Sequence, residues 1–248
     1  MGLEEKVAIV TGAGQGLGKA IALGLAEKGA IPVVVDINEK TAASVCEEIK
    51  KAGVDARFIR ADVSSVDDLR VMVDTVIEKY GTVDILVNNA GIVHTTPIED
   101  ITEDEWDRML AVNLKSVFFA SQLVLPCMKE KRKGRIISIS STAGRMGGYA
   151  NSVGYAASKA GIIGLTMNFA RRVAEYNVTV NAVAPGPTET EIIDAFSEEQ
   201  KKYLWEMIPM KRLGKPRNIA DVVTFLASES ADYITGAVID VNGGFFMG

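Results

Sequence analysis

The chain has one histidine and two cysteines in 248 residues. A zinc site needs three or four nitrogen or sulfur ligands, and a Ser-His-Asp triad needs a histidine beside its serine. One His and two scattered Cys are too few parts for either, so no metal ligand is expected. Cys46 and Cys127 stand far apart in helix-like stretches, as free thiols in a reducing cytoplasm would. Positive charge is sparse as well. Net charge is -5, and the densest basic block, Lys129 to Lys133, is short, which argues against nucleic acid as a partner. The N-terminus has no charged region leading into a long apolar run, and Gly2 lacks the Ser or Thr that a myristoylation signal needs. No apolar stretch reads as long enough to span a bilayer. The expectation is a cytoplasmic protein with no membrane partner.

What is present is an ordinary globular composition, 48% hydrophobic and 24% charged, and a length that suits one α/β domain over residues 1–248. Short apolar runs alternate with longer amphipathic ones. Strands are expected at Lys6–Gly12, Ile31–Asp36, Ala56–Val63, Asp84–Gly91, Arg135–Ser140, Val178–Pro185 and Ala237–Gly244. Between them the spacing predicts helices over Gly18–Lys28, from a cap at Asn38 to about Lys51, over Ser65–Tyr80, from a capping box at Thr102 and Glu105, over Tyr155–Tyr176 and over Ile219–Ala227. Such alternation predicts a doubly wound parallel seven-stranded sheet with helices on both faces, the Rossmann architecture. The least regular part, residues 187–215, holds an amphipathic stretch at Glu198–Met207 and reads as a lid.

In sheets of this kind ligands bind beyond the carboxyl ends of the strands. The glycine loop Thr11-Gly-Ala-Gly-Gln-Gly-Leu-Gly18 lies there. Glycines between strand and helix let the backbone turn and approach a pyrophosphate at the helix N-terminus. The loop fits neither the strict G-x-G-x-x-G, since Leu17 takes the last glycine's place, nor the phosphate loop of NTPases. Alone it is also what any tight strand–helix turn requires. Asp36 ends the second strand, 18 residues beyond Gly18. A carboxylate there accepts from an adenosine ribose and repels a 2′-phosphate, and Ile37 and Asn38 offer no arginine to offset that. NAD is therefore the expected cofactor in preference to NADP.

Tyr155 and Lys159 lie four apart in a stretch of Ala, Ser and Gly, on one face if helical. Taken singly they read as a surface tyrosine beside a solvated lysine. Taken with TGAGQGLG, NNAG, Ser141, YAASK and APG, in this order, they make the chain resemble the short-chain dehydrogenase/reductase family over essentially its whole length. The resemblance implies a catalytic tetrad of Asn113, Ser141, Tyr155 and Lys159. For the cofactor it implies Gly12, Gln15, Gly16, Leu17 and Gly18 at the pyrophosphate, Asp36 and Ile37 at the ribose, and Asp62 and Val63 at the adenine. Asn88, Asn89, Ala90 and Gly91 would line the cleft, and Pro185, Gly186, Thr188 and Thr190 would hold the nicotinamide end with Tyr155 and Lys159. Ser141 stands one residue farther from Tyr155 than the family usually has it, which suggests a longer loop over Tyr149–Gly154.

A tyrosine's ordinary pKa of about 10 is too high for a base at neutral pH, and an adjacent ammonium lowers it. Lys159 is expected to do this for Tyr155, Ser141 to steady the substrate oxygen, and Asn113 to hold a water beside Lys159. The expected activity is NAD(H)-dependent interconversion of a secondary alcohol and a ketone. The alternative is a 3-oxoacyl-carrier-protein reductase, which the C-terminal third resembles (RLGKP, YITG, VNGG) but whose members usually prefer NADP(H). Lys129–Arg135 or Lys211–Arg217 would then serve an acidic carrier. A non-catalytic dinucleotide sensor has no need of the tetrad. Tyr149, Ile192 and Trp205 are candidate substrate-pocket residues, and His94 reads as an ordinary loop histidine. The family habit and VNGGFFMG, with exposed-looking Phe245, Phe246 and Met247, point to a homotetramer.

Overall fold

The computed structural model describes residues 2–148, 152–190 and 198–248; Tyr149 and Ile192 lie outside them. Seven parallel strands form one sheet in the order β3-β2-β1-β4-β5-β6-β7. They are β1 (Val7–Thr11), β2 (Ile31–Asp36), β3 (Arg57–Arg60), β4 (Ile85–Asn88), β5 (Gly134–Ile139), β6 (Val178–Pro185) and β7 (Val238–Val241). The four central strands β1, β4, β5 and β6 are buried throughout, which is why they read as unbroken apolar runs instead of alternating ones.

Strand parity divides the core. Ala8 and Val10 of β1 face one layer with α1 (Gly16–Ala26), α2 (Glu39–Lys51) and the late helix Pro216–Ala227, through Ile21, Leu25, Val45, Ile49 and Val223. Val7 and Ile9 face the other, with α3 (Val66–Tyr80), α5 (Ser116–Lys131) and α7 (Val153–Val173), through Met72, Val76, Val124, Met128 and Ala170. Between α3 and α5 run α4 (Glu103–Leu110) and a π turn over Ala111–Lys115. After β5 comes a short α6 (Thr142–Met146); α8 is Glu198–Met207 and α9 is Pro216–Ala227.

Several local expectations hold. Asn38 caps α2 by accepting from the N–H groups of Lys40 and Thr41. Gly81 ends α3 in the left-handed region, φ 74°. Others need correction. Thr102 accepts from the Glu105 N–H at 3.2 Å, but Glu105 Oε1 is buried without a partner, so the capping box is half formed. The helix α6 lies between the expected strand Arg135–Ser140 and the expected loop from Tyr149, where the sequence assigned no element. The run Glu103–Lys131, 29 residues, is long and apolar enough by composition to cross a membrane, contrary to the sequence reading. In the fold it packs through Val117, Ala120, Val124 and Met128 into the protein's own core.

Strand order reverses between β1 and β4, and the carboxyl ends flanking that point open a crevice.

Candidate active site

A cavity of about 710 Å³ lies along the carboxyl ends of the strands. Its floor is the glycine loop. Gly12 and Gly16 have φ of +62° and +53°, conformations that side chains other than glycine rarely adopt. A methyl on Gly18 would come within 2.1 Å of the Gly12 carbonyl and 2.5 Å of Asn89 Nδ2. The loop leads into α1 at Gln15, whose side chain makes no cap, so the first turn keeps N–H groups for an anionic ligand. Gly12, Gln15, Gly16, Leu17, Gly18, Asp36, Ile37, Asp62 and Val63 all line this half of the cavity.

Asp36 fastens the loop to β2. Its carboxylate accepts from the Gly14 N–H at 2.9 Å and from the Asn38 N–H at 3.0 Å. Thr11 fastens β1 to the NNAG segment: its hydroxyl oxygen accepts from the N–H groups of Asn89 and Ala90 at 3.0 and 3.1 Å. Asn89, Ala90 and Gly91 line the cavity. Asn88 does not. It ends β4 on the opposite parity and donates inward to Ser121 and Ser138, which makes it a brace for the sheet.

At the far wall Arg108, on α4, reaches back to Ser64 at 2.9 Å and Asp62 at 3.5 Å. Burial would raise the Asp62 carboxyl, but hydrogen bonds from the Ser64 hydroxyl and N–H, together with Arg108, outweigh it and hold it below the usual range.

The chemical groups gather at the end of β5. Ser140, next to Ser141, donates to the Lys159 carbonyl at 2.8 Å. Ser141 begins α6, where its oxygen accepts from the Ala143 N–H, and it lines the cavity beside Tyr155. Helix α7 carries both Tyr155 and Lys159. Gly144 lets α6 lie on that helix: a Cβ there would meet the Lys159 backbone at 2.6 Å. Lys159 is 4% exposed and its Nζ donates to the Ile139 carbonyl at 2.8 Å. Burial lowers its pKa to about 8. Tyr155 departs from the sequence expectation. Burial raises its pKa above the ordinary phenol value, and the neighbouring Ser141 hydroxyl opposes that rise. Nζ sits 5.7 Å from the phenol ring centroid and is anchored to the strand.

Asn113 lies near the same lysine, across Gly91. It is fully buried in the π turn, outside the cavity lining. Its side-chain oxygen accepts from the Ile92 N–H at 2.8 Å and its amide donates to the Ile92 carbonyl at 2.9 Å. It also donates to Ser158, on the helix of Tyr155. These bonds tie the strand-four loop to the tyrosine helix. A Cβ on Gly91 would sit 3.3 Å from Asn113 Oδ1 and 3.5 Å from Lys159 Nζ, so the backbone there runs close between the two side chains.

Pro185, Gly186, Thr188 and Thr190 line the other end. There Met146 and Leu204 are lining residues that the sequence did not single out, and His94, read as a loop histidine, and Phe245, read as a subunit contact, line the cavity as well. The apolar position within the amphipathic Glu198–Met207 stretch was the available hint for Leu204. Trp205, the candidate, is outside the lining and half exposed, its indole N–H donating to the Lys211 carbonyl. Phe245 and Phe246 are half-buried, and only Met247 is well exposed. Of the two basic stretches, Lys129–Arg135 lies at the amino end of β5, away from the cavity. Lys211–Arg217 adjoins it through the Thr188–Gly214 bridge, though Arg217 is paired with Glu27 and Asp221.

The glycine cradle, the acidic end of β2 and the Ser141–Tyr155–Lys159 cluster share one crevice whose residues fit a nicotinamide dinucleotide. A family model described as enoyl-(acyl carrier protein) reductase matches residues 12–246. The chain belongs to the short-chain dehydrogenase/reductase family and is an oxidoreductase. It is 45% identical over 245 residues, 98% of each chain, to the 3-oxoacyl-[acyl-carrier-protein] reductase FabG of Staphylococcus aureus. It is 43% identical over 247 residues, 100% of each chain, to the protein of the same name from Vibrio cholerae. The crystal structure of gox2181 superposes with a TM-score of 0.95 at 35% identity, covering 98% of this chain and 96% of that one.

Proposed function

We propose that the protein interconverts 3-oxoacyl and 3-hydroxyacyl thioesters with NAD(H). The Ser141 hydroxyl beside Tyr155 in the cavity wall, with a buried Lys159 on the same helix as the tyrosine, carries the reaction type. A carbonyl oxygen seated there accepts from both hydroxyls. As hydride adds to the carbonyl carbon the C=O π bond breaks, and the oxygen takes the phenol proton. The hydride itself is the cofactor's contribution. The resulting phenolate is favoured by the Lys159 ammonium. In the oxidative direction the same phenolate removes the alcohol proton.

The substrate class follows the full-length likeness to proteins named as 3-oxoacyl reductases. The cofactor follows Asp36. Among the described lining residues the basic side chains besides His94 are Lys159, at the reaction end, and Arg108, which is paired with Asp62. A 2′-phosphate beside Asp36 would meet a carboxylate with no cation assigned to it. The same observation favours a second reading, an NAD(H)-linked dehydrogenase of simple secondary alcohols or sugars.

Steady-state reduction of acetoacetyl-N-acetylcysteamine, with NADH and with NADPH, tests the proposal, with crotonyl thioester and a panel of secondary alcohols as comparison substrates. Turnover of the 3-oxoacyl thioester with NADH is the expected result. Turnover of the alcohols alone supports the second reading, and turnover of the crotonyl thioester alone rejects both. A homotetramer is the expected assembly; a monomer in light scattering at micromolar concentration rejects it.

A further inference from the structure

The C-terminal turn is built with more care than a chain end needs. After β7, Asn242 holds residues 242–246 in a compact turn. Its side-chain oxygen accepts from the Gly244 N–H at 2.9 Å, its amide donates to the Phe246 carbonyl at 3.0 Å, and its own carbonyl accepts from the Phe245 N–H at 3.1 Å. Gly243 and Gly244 have φ of +63° and +88°, so the turn is a shape that few other residues could make.

Three elements grip this turn, and two of them, the loop after β6 and α6, also line the cavity. Gly186, after β6, is pressed on Asn242: a Cβ there would meet Asn242 Cβ at 2.6 Å. The segment after α8 donates from the Met210 N–H to the Gly243 carbonyl at 3.1 Å. Arg145, on α6, lies 4.9 Å over the Phe246 ring and pairs with Asp240 of β7 at 3.4 Å. Asp240 is one-fifth exposed, and its Oδ1 is buried without a hydrogen bond, so Arg145 is the cation that compensates its charge. The result of this construction is that Phe245 stands in the cavity wall with Met146 and Leu204, at the end away from Asp36.

We propose that Phe245 is a specificity-determining residue that limits the size of the group attached to the reacting carbonyl, and that Arg145 is the positioning residue that holds it there. This rests on the reading of the Ser141–Tyr155 end as the substrate end. An aromatic ring on a turn gripped from three sides is a fixed wall, and an acyl chain that extends past Met146 and Leu204 would run into it. Removing the ring opens that path. Loosening Arg145 releases the Phe246 stack and the Asp240 pair together, so the turn that presents Phe245 is no longer fixed against α6.

The test is the ratio of kcat/KM for 3-oxooctanoyl to acetoacetyl N-acetylcysteamine with NADH. Phe245→Ala should raise the ratio by about tenfold, mainly through KM for the longer substrate, and Phe245→Trp should lower it. Arg145→Gln should move the ratio in the same direction as Phe245→Ala, Arg145→Lys should recover part of the original value, and Arg145→Gln should add little in the Phe245→Ala background. A ratio unchanged in both Phe245 variants, in protein that binds NADH as the parent does, overturns the assignment. Additive effects of Arg145→Gln and Phe245→Ala overturn the positioning role. If the parent reduces no thioester, the thioester reading has failed, and the same ratios measured with a bulky and a small methyl ketone still decide the role of Phe245.

Discussion

Lys159 is tied to the strand beneath it before it is tied to Tyr155: its ammonium donates to the Ile139 carbonyl at 2.8 Å and stands 5.7 Å from the tyrosine ring centroid. Its charge is therefore held in place by the sheet, and burial makes that charge costly. The ammonium is lost as pH rises through about 8. Since Tyr155 must give its proton with a cation nearby, kcat/KM for reduction should fall above pH of about 8 in the free enzyme. Lys159→Arg should move that limb beyond the accessible range even where it lowers the plateau. A limb unmoved in Lys159→Arg would assign it to another group.

The same shift makes a prediction about stability. The folded-state value lies below the ordinary one of 10.5, so the unfolded chain binds more protons between the two. Stability relative to Lys159→Met should therefore rise between pH of about 8 and 10.5, by about 3 kcal/mol. Urea unfolding of both proteins across that window measures it.

Tyr155 should be dispensable for binding and indispensable for proton transfer. Tyr155→Phe keeps the ring and removes the hydroxyl that faces the cavity beside Ser141. Turnover should be abolished while NADH affinity, read by fluorescence titration, stays within about threefold.

Asp36 does two jobs, one by charge and one by shape, and substitutions can separate them. Asp36→Asn keeps an oxygen for the Gly14 N–H, now at 2.9 Å, and removes the charge. It should tighten NADPH about tenfold or more while weakening NADH only a few-fold. Asp36→Ala should narrow the same preference but weaken both nucleotides, because the glycine loop loses its tether as well. Unchanged NADPH affinity in both variants would remove Asp36 from the ribose site.

Asn113 is fully buried and holds both backbone groups of Ile92. Asn113→Leu leaves those groups without partners and should cost on the order of 3 kcal/mol in stability. It should also lower kcat more than it weakens NADH, because Ile92 borders the reaction end of the cavity. Thermal unfolding and steady-state kinetics on the same preparation test both halves.

Much of this site was legible because backbone geometry dictates residue type. Only glycine fits at Gly12 and Gly18, and a carboxylate closing β2 has few other uses beside a glycine loop. What was misjudged depended on parity and depth. Asn88 and Asn89 are neighbours in sequence, yet Asn88 follows Leu86 onto the α5 face while Asn89 leaves the strand into the crevice. The alternation of β4 contained that distinction. The direction of the Tyr155 shift did not follow from its spacing to Lys159, because it is set by how deeply α7 buries the phenol. Arg108, Met146, Leu204 and Phe245 come from four segments whose convergence is a property of packing, with no local pattern to announce it.

The cavity draws on residues from Gly12 to Phe245, and its two ends meet only where β1 and β4, 74 residues apart along the chain from Thr11 to Ile85, lie side by side. During folding, parallel pairings of such long span form late. Nucleotide capacity is thus among the last properties the polypeptide acquires, and no partial fold should hold the dinucleotide. Bound cofactor would then stabilise the finished molecule as a whole and leave its intermediates untouched, so a cell rich in the nucleotide would slow this protein's unfolding without assisting its first steps of collapse.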